Sequence, residues 1–165
     1  MALKLDLKSI DPCGSLKIPL LSKGAREART TMAYSGGGNA GVGIAESIES
    51  GTVYGEGGQF GCFVTVCGGV QTDVSVAGYG AFGMYTRWKE FAGASFLTSQ
   101  SASVPLVEAG FTTGPVMSTQ GKLIGSVNAV SIGAGLLPVQ AGGMACCTAV
   151  LQPGQSINAL EGSIN

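Results

Sequence analysis

Residues 60–76 constrain the fold most strongly, because two runs of alternating, strand-like residues flank a pair of glycines there. The runs read FGCFVTVC and VQTDVSV, and Gly68 and Gly69 lie between them. Runs rich in Val, Thr and Phe that are separated by two glycines are typical of a β-hairpin, since its tight turn needs positive φ angles. This segment therefore predicts an antiparallel pair of strands.

A two-residue turn also predicts which side chains of this hairpin share a face. The side chains expected on its core face are Phe63, Thr65, Cys67, Val70, Thr72 and Val74. The alternate residues form a mixed surface that suits partial burial by a neighbour. Cys62 and Cys67 point in opposite directions in this register, so no disulfide bond is expected between them.

Further short strands are predicted at the close spacing of all-β domains. They cover residues 42–49, 104–108, 115–118, 122–132 and 143–151. The glycine-rich residues 35–43 predict a loop, and residues 84–92 fit either a helix or a strand. The expected fold class is all-β, with residues 31–165 forming one compact β-barrel or β-sandwich.

Residues 1–30 are predicted to form an extended N-terminal arm. Leucines alternate with charged residues at its start, as in a strand with one apolar face, and Pro12, Gly14 and Pro19 interrupt regular structure. Such an arm lies either on its own domain or on a neighbouring subunit. The residues expected to contact that surface are Leu3, Lys4, Leu5, Leu7, Lys8, Ile18 and Leu20.

The N-terminus has no uninterrupted apolar run of signal-peptide length, so synthesis in the cytoplasm is expected. The longest uncharged stretch, residues 123–160, is interrupted by Gly, Asn, Gln and Pro, and it predicts no membrane-spanning helix. No membrane partner is therefore expected.

The chain is poor in charge and lacks histidine. Charged residues make up 12% of the sequence and hydrophobic residues 45%, and the net charge is −1. The absence of histidine removes Ser-His and Cys-His nucleophiles and imidazole metal sites, so no enzyme activity, cofactor or metal site is predicted. Between residues 91 and 165 only Glu108, Lys122 and Glu161 are charged. That scarcity favours burial in an oligomer, the alternative being a compact domain kept soluble by its hydroxyl groups.

Two glycine-containing motifs resemble nucleotide-binding loops without their context. GYGAFG at residues 78–83 fits a dinucleotide fingerprint, but no βαβ unit surrounds it. GPVMSTQGK at residues 114–122 resembles a Walker loop, but Leu123 stands where Ser or Thr would bind magnesium. The lysines of the arm are too few for specific nucleic-acid binding.

Five cysteines occur, at positions 13, 62, 67, 146 and 147, with neither a CxxC motif nor zinc-site spacing. Two interpretations are open. Each cysteine can be a small buried thiol, or some can form intermolecular disulfide bonds after release into an oxidising medium. Cys13 and Cys146 are the candidates for the second interpretation.

VGIAES at residues 42–47, followed by CFVTVCGGV at residues 62–70, resembles the pattern of small capsid decoration, or cement, proteins of tailed bacteriophages. The resemblance implies a β-barrel-like body that is often trimeric, with an N-terminal arm laid on the capsid lattice. The long cysteine-containing C-terminal half has no counterpart in that pattern.

The expected function is therefore that of a non-enzymatic virion structural protein, a capsid decoration protein that stabilises the shell through subunit contacts. Its partners would be copies of itself, a capsid protein, or both. Two alternatives stay open: a single jelly-roll capsid or tail-tube subunit, and a β-barrel module that binds a small ligand.

Overall fold

The computed structural model of the chain describes residues 13, 16–103, 109–135 and 139–153. The predicted all-β fold is confirmed, because the strands form a closed seven-stranded antiparallel β-barrel. Its elements are α1 (Pro19–Ala28), β1 (Thr31–Tyr54), β2 (Phe60–Tyr85), α2 (Trp88–Phe91), β3 (Gly93–Ser103), β4 (Ala109–Ser118), β5 (Leu123–Gly135) and β6 (Val139–Leu151). No helix within these residues is long and apolar enough to cross a membrane.

Strand β2 closes the barrel because it takes part in the ring twice. Its first half pairs with β6 over residues 62–71, and its second half pairs with β5 over residues 75–85. Strands β4 and β3 connect β5 to β6, and β1 pairs with both halves of β2. Every ladder is antiparallel, so the barrel needs no helical crossover between its strands.

The predicted hairpin around Gly68 and Gly69 is wrong. Both glycines lie in the middle of β2, paired with Ala45 and Glu46 of β1, and neither has a positive φ angle. The hairpin joins β1 to β2 through residues 55–59 instead, where Gly58 has a φ of 87°. Residues 55–59 thus have the positive φ angle that a tight turn requires.

The position of the turn decides which predicted core residues are buried. Phe63, Thr65 and Cys67 share a buried face, as predicted. Val70, Thr72 and Val74 are predicted beside them but are exposed, because a strand that continues without a turn keeps alternating. The wrongly predicted turn shifts the alternation after Gly69 by one residue, and a shift of one residue moves a side chain to the opposite face of the sheet.

The loop predicted for residues 35–43 is also wrong, since these residues belong to β1. A bulge at Gly43, whose φ is 73°, bends β1 into two halves. Gly37 lies against the backbone of Ile48, and Gly51 lies against the backbone of Tyr34. A Cβ atom at either glycine would collide with that backbone, so the glycines allow the two halves of β1 to meet.

Two apolar clusters lie on opposite faces of the sheet near the β1–β2 turn. The inner cluster consists of Ala33, Val53, Phe63 and Phe91. The outer cluster consists of Cys13, Ala25, Tyr54 and Phe60. Helix α1 therefore covers the outside of the barrel where α2 closes the inside.

Helix α1 corrects part of the predicted arm. Residues 19–28 were expected to be extended, but Pro19 begins a helix there. Proline suits the first helical position, because its missing N–H would have no intrahelical partner in any case. The backbone N–H of Ile18 donates a hydrogen bond of 3.2 Å to the Tyr54 hydroxyl, which helps to fix the helix start.

The remaining strand predictions hold where the structure describes them. Residues 42–49 lie in β1, and residues 115–118, 122–132 and 143–151 correspond to β4, β5 and β6, all of which extend further. Residues 104–108 lie outside the described residues. Of residues 84–92, the first two end β2 and the middle four form α2.

Candidate interaction surface

Three charged side chains of the described residues, Glu56, Glu90 and Lys122, tie together one end of the barrel. The Glu56 carboxylate, in the β1–β2 turn, accepts hydrogen bonds from the Thr31 hydroxyl at 2.5 Å and the Trp88 backbone N–H at 3.0 Å. Lys122, before β5, forms an ion pair of 2.8 Å with Glu90 of α2. These contacts connect the start of β1, the β1–β2 turn, the turn between β4 and β5, and α2. We call this part of the barrel the charged end.

Glu56 is held in its ionised form by this arrangement. Burial alone would raise its pKa, but the hydrogen bonds from Thr31 and from backbone N–H groups, with the charge of Arg87, lower the pKa below the usual range. The carboxylate therefore remains charged at neutral pH and holds the turn against α2.

Beyond the charged end, the outer face of the barrel is apolar. The sequences of the six strands contain three acidic residues, Glu46, Glu49 and Asp73, and no basic residue. Leu123, which begins β5 beside the charged end, is 57% exposed. Away from that end, twelve large apolar side chains on these strands are between 45% and 72% exposed. We call them the apolar belt: Val42, Ile44, Ile48, Val64, Val66, Val70, Val74, Val76, Phe96, Phe111, Val130 and Ile132.

The members of the apolar belt are neighbours across the strands. Ile44 pairs with Val70 and Ile48 with Val66 across the β1–β2 ladder, and Val130 pairs with Phe111 across the β4–β5 ladder. Directly paired residues of adjacent strands point to the same face. Isolated exposed apolar side chains are ordinary on a protein, but a contiguous set marks a surface that another molecule covers.

An open cavity of about 670 Å³ lies between the two halves of the β1–β2 hairpin. Apolar side chains dominate its lining, including Ile48, Val66 and Val76, and the Glu46 carboxylate and Asn39 also reach it. The Asn39 Oδ1 atom is buried and accepts no hydrogen bond from the described residues. The cavity thus combines an apolar wall with three polar residues, the third being Ser47.

A polar cluster lies on the inner face of the barrel. The Glu49 carboxylate accepts hydrogen bonds from the hydroxyls of Ser35 at 3.2 Å and Tyr79 at 3.3 Å. Burial raises the pKa of Glu49, although both hydrogen bonds act in the opposite direction. Burial and the nearby Glu49 charge also raise the pKa of Tyr79. The barrel interior thus contains a carboxylate whose charged form is disfavoured by burial.

We expect Glu49→Gln to stabilise the protein at neutral pH. The folded state binds the Glu49 proton more tightly than the unfolded state does, so the native protein loses stability as pH rises from the ordinary pKa to the raised one. Glutamine has no such loss, and its oxygen can still accept from Ser35 and Tyr79. Urea unfolding at pH 4 and pH 7 should show a gain that is small at pH 4 and reaches roughly 1 kcal/mol at pH 7. A constant difference between the two pH values would contradict the assignment.

Most of the predicted arm contacts, Leu3, Lys4, Leu5, Leu7 and Lys8, lie outside the described residues. The last two predicted contacts, Ile18 and Leu20, are 51% and 75% exposed at the start of α1. These two side chains are therefore available to a neighbouring surface, and their role there stays a prediction.

The predicted intermolecular disulfide bonds of Cys13 and Cys146 are wrong in this structure. Cys13 is bonded to Cys62 of the same chain, and Cys146 is bonded to Cys67, its direct partner across the β2–β6 ladder. Antiparallel pairing brings the Cα atoms of Cys67 and Cys146 within reach of a disulfide bond. Cys147 is free and exposed on the opposite face. The predicted lack of a bond between Cys62 and Cys67 is confirmed.

The structure thus brings forward an apolar belt and a cavity in the β1–β2 hairpin as candidate sites. Within the described part of the chain, no three His, Cys, Asp or Glu side chains gather as they would around a metal ion. Comparisons with protein-family models, with curated proteins and with solved structures find no match to this chain.

Proposed function

We propose that the protein is a non-enzymatic structural protein of a virion, a capsid decoration or cement protein that reinforces the shell. It would be made in the host cytoplasm and join the virion by burying its apolar belt against neighbouring subunits, either its own copies or the capsid protein. The observation that carries the proposal is the apolar belt, in strands that have no basic residue and few acidic ones. The sequence resemblance to decoration proteins of tailed bacteriophages points the same way.

The belt provides a free energy of the size that assembly needs. Complete burial of one such side chain contributes about 1.5–3 kcal/mol, so a side chain that starts half exposed contributes about 1 kcal/mol. Twelve side chains together contribute on the order of 10 kcal/mol, which is similar to the cost of immobilising a partner. Stable attachment therefore requires several contacts per subunit, as a lattice supplies.

The arm supplies one such additional contact in this proposal. The disulfide bond between Cys13 and Cys62 anchors the chain to the outer face of β2, so residues 1–12 start from a fixed point on the barrel. Twelve extended residues reach about 40 Å, which is enough to lie on a neighbouring subunit. In this proposal the alternating leucines would contact that subunit.

Replacing Leu3, Leu5 and Leu7 by serine should weaken self-association or attachment at least tenfold, the effect of about 1.4 kcal/mol of lost burial. The melting temperature should stay unchanged, because these residues precede the anchored Cys13. Sedimentation of the purified protein, alone and with shells that lack it, measures the effect. Leu123→Ser, at a leucine that is 57% exposed on the barrel, is the matched control. Unchanged association, or an unfolded barrel, would contradict the role of the arm.

A second candidate function, binding of a small ligand, is favoured by the cavity in the β1–β2 hairpin. Its apolar lining with the Glu46 carboxylate suits an apolar molecule that carries a positive group. This function predicts a monodisperse monomer whose behaviour does not depend on residues 1–12. Sedimentation of the triple serine variant therefore distinguishes the two functions.

A further inference from the structure

We infer that a second copy of this chain covers one particular part of the apolar belt, the outer face of β1, β2, β6 and β3 around Cys147. This inference rests on the proposed function in that it names the surface through which subunits associate. We call this surface the Cys147 face. Its large exposed side chains are Ile44, Ile48, Val64, Val66, Val70 and Phe96.

The ladders place Cys147 in the middle of this surface. Cys147 pairs with Val66 of β2 on one side and with Ala94 of β3 on the other, and Val66 pairs in turn with Ile48 of β1. Four adjacent strands therefore present one row of apolar residues. The next row consists of Glu46, Gly68, Ala145 and Phe96, so its two central residues are small and one carboxylate lies at its β1 edge.

The apolar area of the Cys147 face matches what a protein interface needs from one partner. Complete burial of an aliphatic side chain contributes about 1.5–3 kcal/mol, at about 25 cal/mol per Å² of apolar surface. A fully exposed aliphatic side chain therefore presents about 100 Å² of apolar surface. Exposed fractions of 47% to 72% then give roughly 350 Å² for the six side chains. A standard interface buries about 800 Å² per partner, of which about 450 Å² is apolar. Cys147 and Ala145, both exposed, supply much of the remainder.

The charge of this face favours a copy of the same chain as the partner. A two-fold interface brings each residue close to the same set of residues on the partner, so a face with many charges of one sign would repel itself. Among the side chains that the structure describes on this face, Glu46 is the one carboxylate, and it also lines the cavity. Two flat apolar sheets can pack face to face at a spacing of about 10 Å.

Cys147 makes the inference testable, because the other four cysteines of the chain are paired in disulfide bonds. In a face-to-face pair, two Cys147 thiols lie on opposing sheets separated by about 10 Å. A flexible bismaleimide of that reach, added to the oxidised full-length protein, should convert most of the protein into a covalent dimer. Cys147→Ser should give no dimer.

Val66→Lys should reduce the crosslinked fraction at least tenfold, since it places like charges across the interface beside Cys147. Ile48→Ser is the milder second variant in case the lysine prevents folding. Val130→Lys is the matched control, because Val130 is 63% exposed in the same belt but lies on β5, between β4 and the second half of β2. It should leave crosslinking unchanged. Circular dichroism and a thiol assay confirm that each variant is folded and that one thiol is free.

The outcomes separate this inference from the proposed function. An oligomer that forms without crosslinking through Cys147 overturns the Cys147 face and leaves the proposed function standing. An equal loss of crosslinking in Val130→Lys and Val66→Lys does the same. If lipid vesicles protect the Cys147 thiol from maleimide modification and no dimer forms, the assignment of this face to a second copy is overturned as well. A monomer that neither crosslinks nor attaches to shells overturns both.

Discussion

Replacing Cys67 and Cys146 together by alanine is expected to lower the free energy of unfolding by about 4 kcal/mol. The two cysteines are direct partners across the β2–β6 ladder, and their bond closes a loop with a sequence separation of 79. A cross-link of that span removes about 4–5 kcal/mol of conformational freedom from the unfolded chain, in the chain-entropy description. Since small domains unfold at 5–15 kcal/mol, the loss is a large part of the total.

Guanidinium unfolding without reductant measures this loss. The matched control is Cys147→Ala, which removes an exposed thiol from the same strand and should change stability by less than about 0.5 kcal/mol. A double alanine variant as stable as the wild-type protein would show that β2 and β6 are held together without the covalent bond.

The second large effect concerns the inner apolar cluster. Phe63→Ala should destabilise the barrel by about 3–5 kcal/mol, the usual cost of deleting a buried aromatic ring. Phe63 is 4% exposed, and its ring meets the Phe91 ring edge to face at 4.8 Å. The substitution removes one of the two ring contacts through which Phe91 of α2 packs on the inside of β2, the other being with Tyr85.

The neighbouring Val64→Ala is the control, because Val64 is 47% exposed on the opposite face of the same strand. It should change the stability of the isolated protein by less than about 0.5 kcal/mol. Urea unfolding of both variants compares the two faces directly. Equal losses at the two positions would contradict the assignment of inner and outer faces in β2.

The alternation of apolar and polar residues was enough to predict the strands. It was not enough to predict the position of the hairpin. The alternation of Phe63 and Thr65 with Val64 and Val66 is visible in the sequence and places them correctly on two faces. A Gly-Gly pair favours a turn locally, yet β1 and β6 lie on both sides of β2 at Gly68 and Gly69 and keep the strand continuous. Long-range pairing of this kind leaves no local signal.

The same limit explains the misplaced loop and the missed helix. Glycines 36–38 cost entropy in any regular element, so they favour a loop unless tertiary contacts require close approach. Gly37 is required because it lies against the backbone of Ile48, a contact that exists only when β1 bends. Helix α1 had a visible signal in Pro19 at its first turn, but Pro12 and Gly14 nearby made the segment look irregular.

The disulfide pairs and the apolar belt could not be predicted from the sequence, for two different reasons. Five cysteines allow several pairings, and only the ladder shows that Cys67 is opposite Cys146. The scarcity of charge predicted that some surface is covered. The surface that we propose to be covered follows from the register of β1, β2 and β6, because the register brings Ile48, Val66 and Cys147 into one row.

The most direct test of the central claim, that the apolar belt is buried in an assembly, is the solution mass of the oxidised full-length protein. Light scattering over a hundredfold range of concentration should give a discrete oligomer that persists at the lowest concentration or dissociates reversibly. The belt then accounts for the association, and Val66→Lys should shift the mass towards the monomer. A protein that stays a soluble monomer at every concentration and attaches to no shell would contradict the claim.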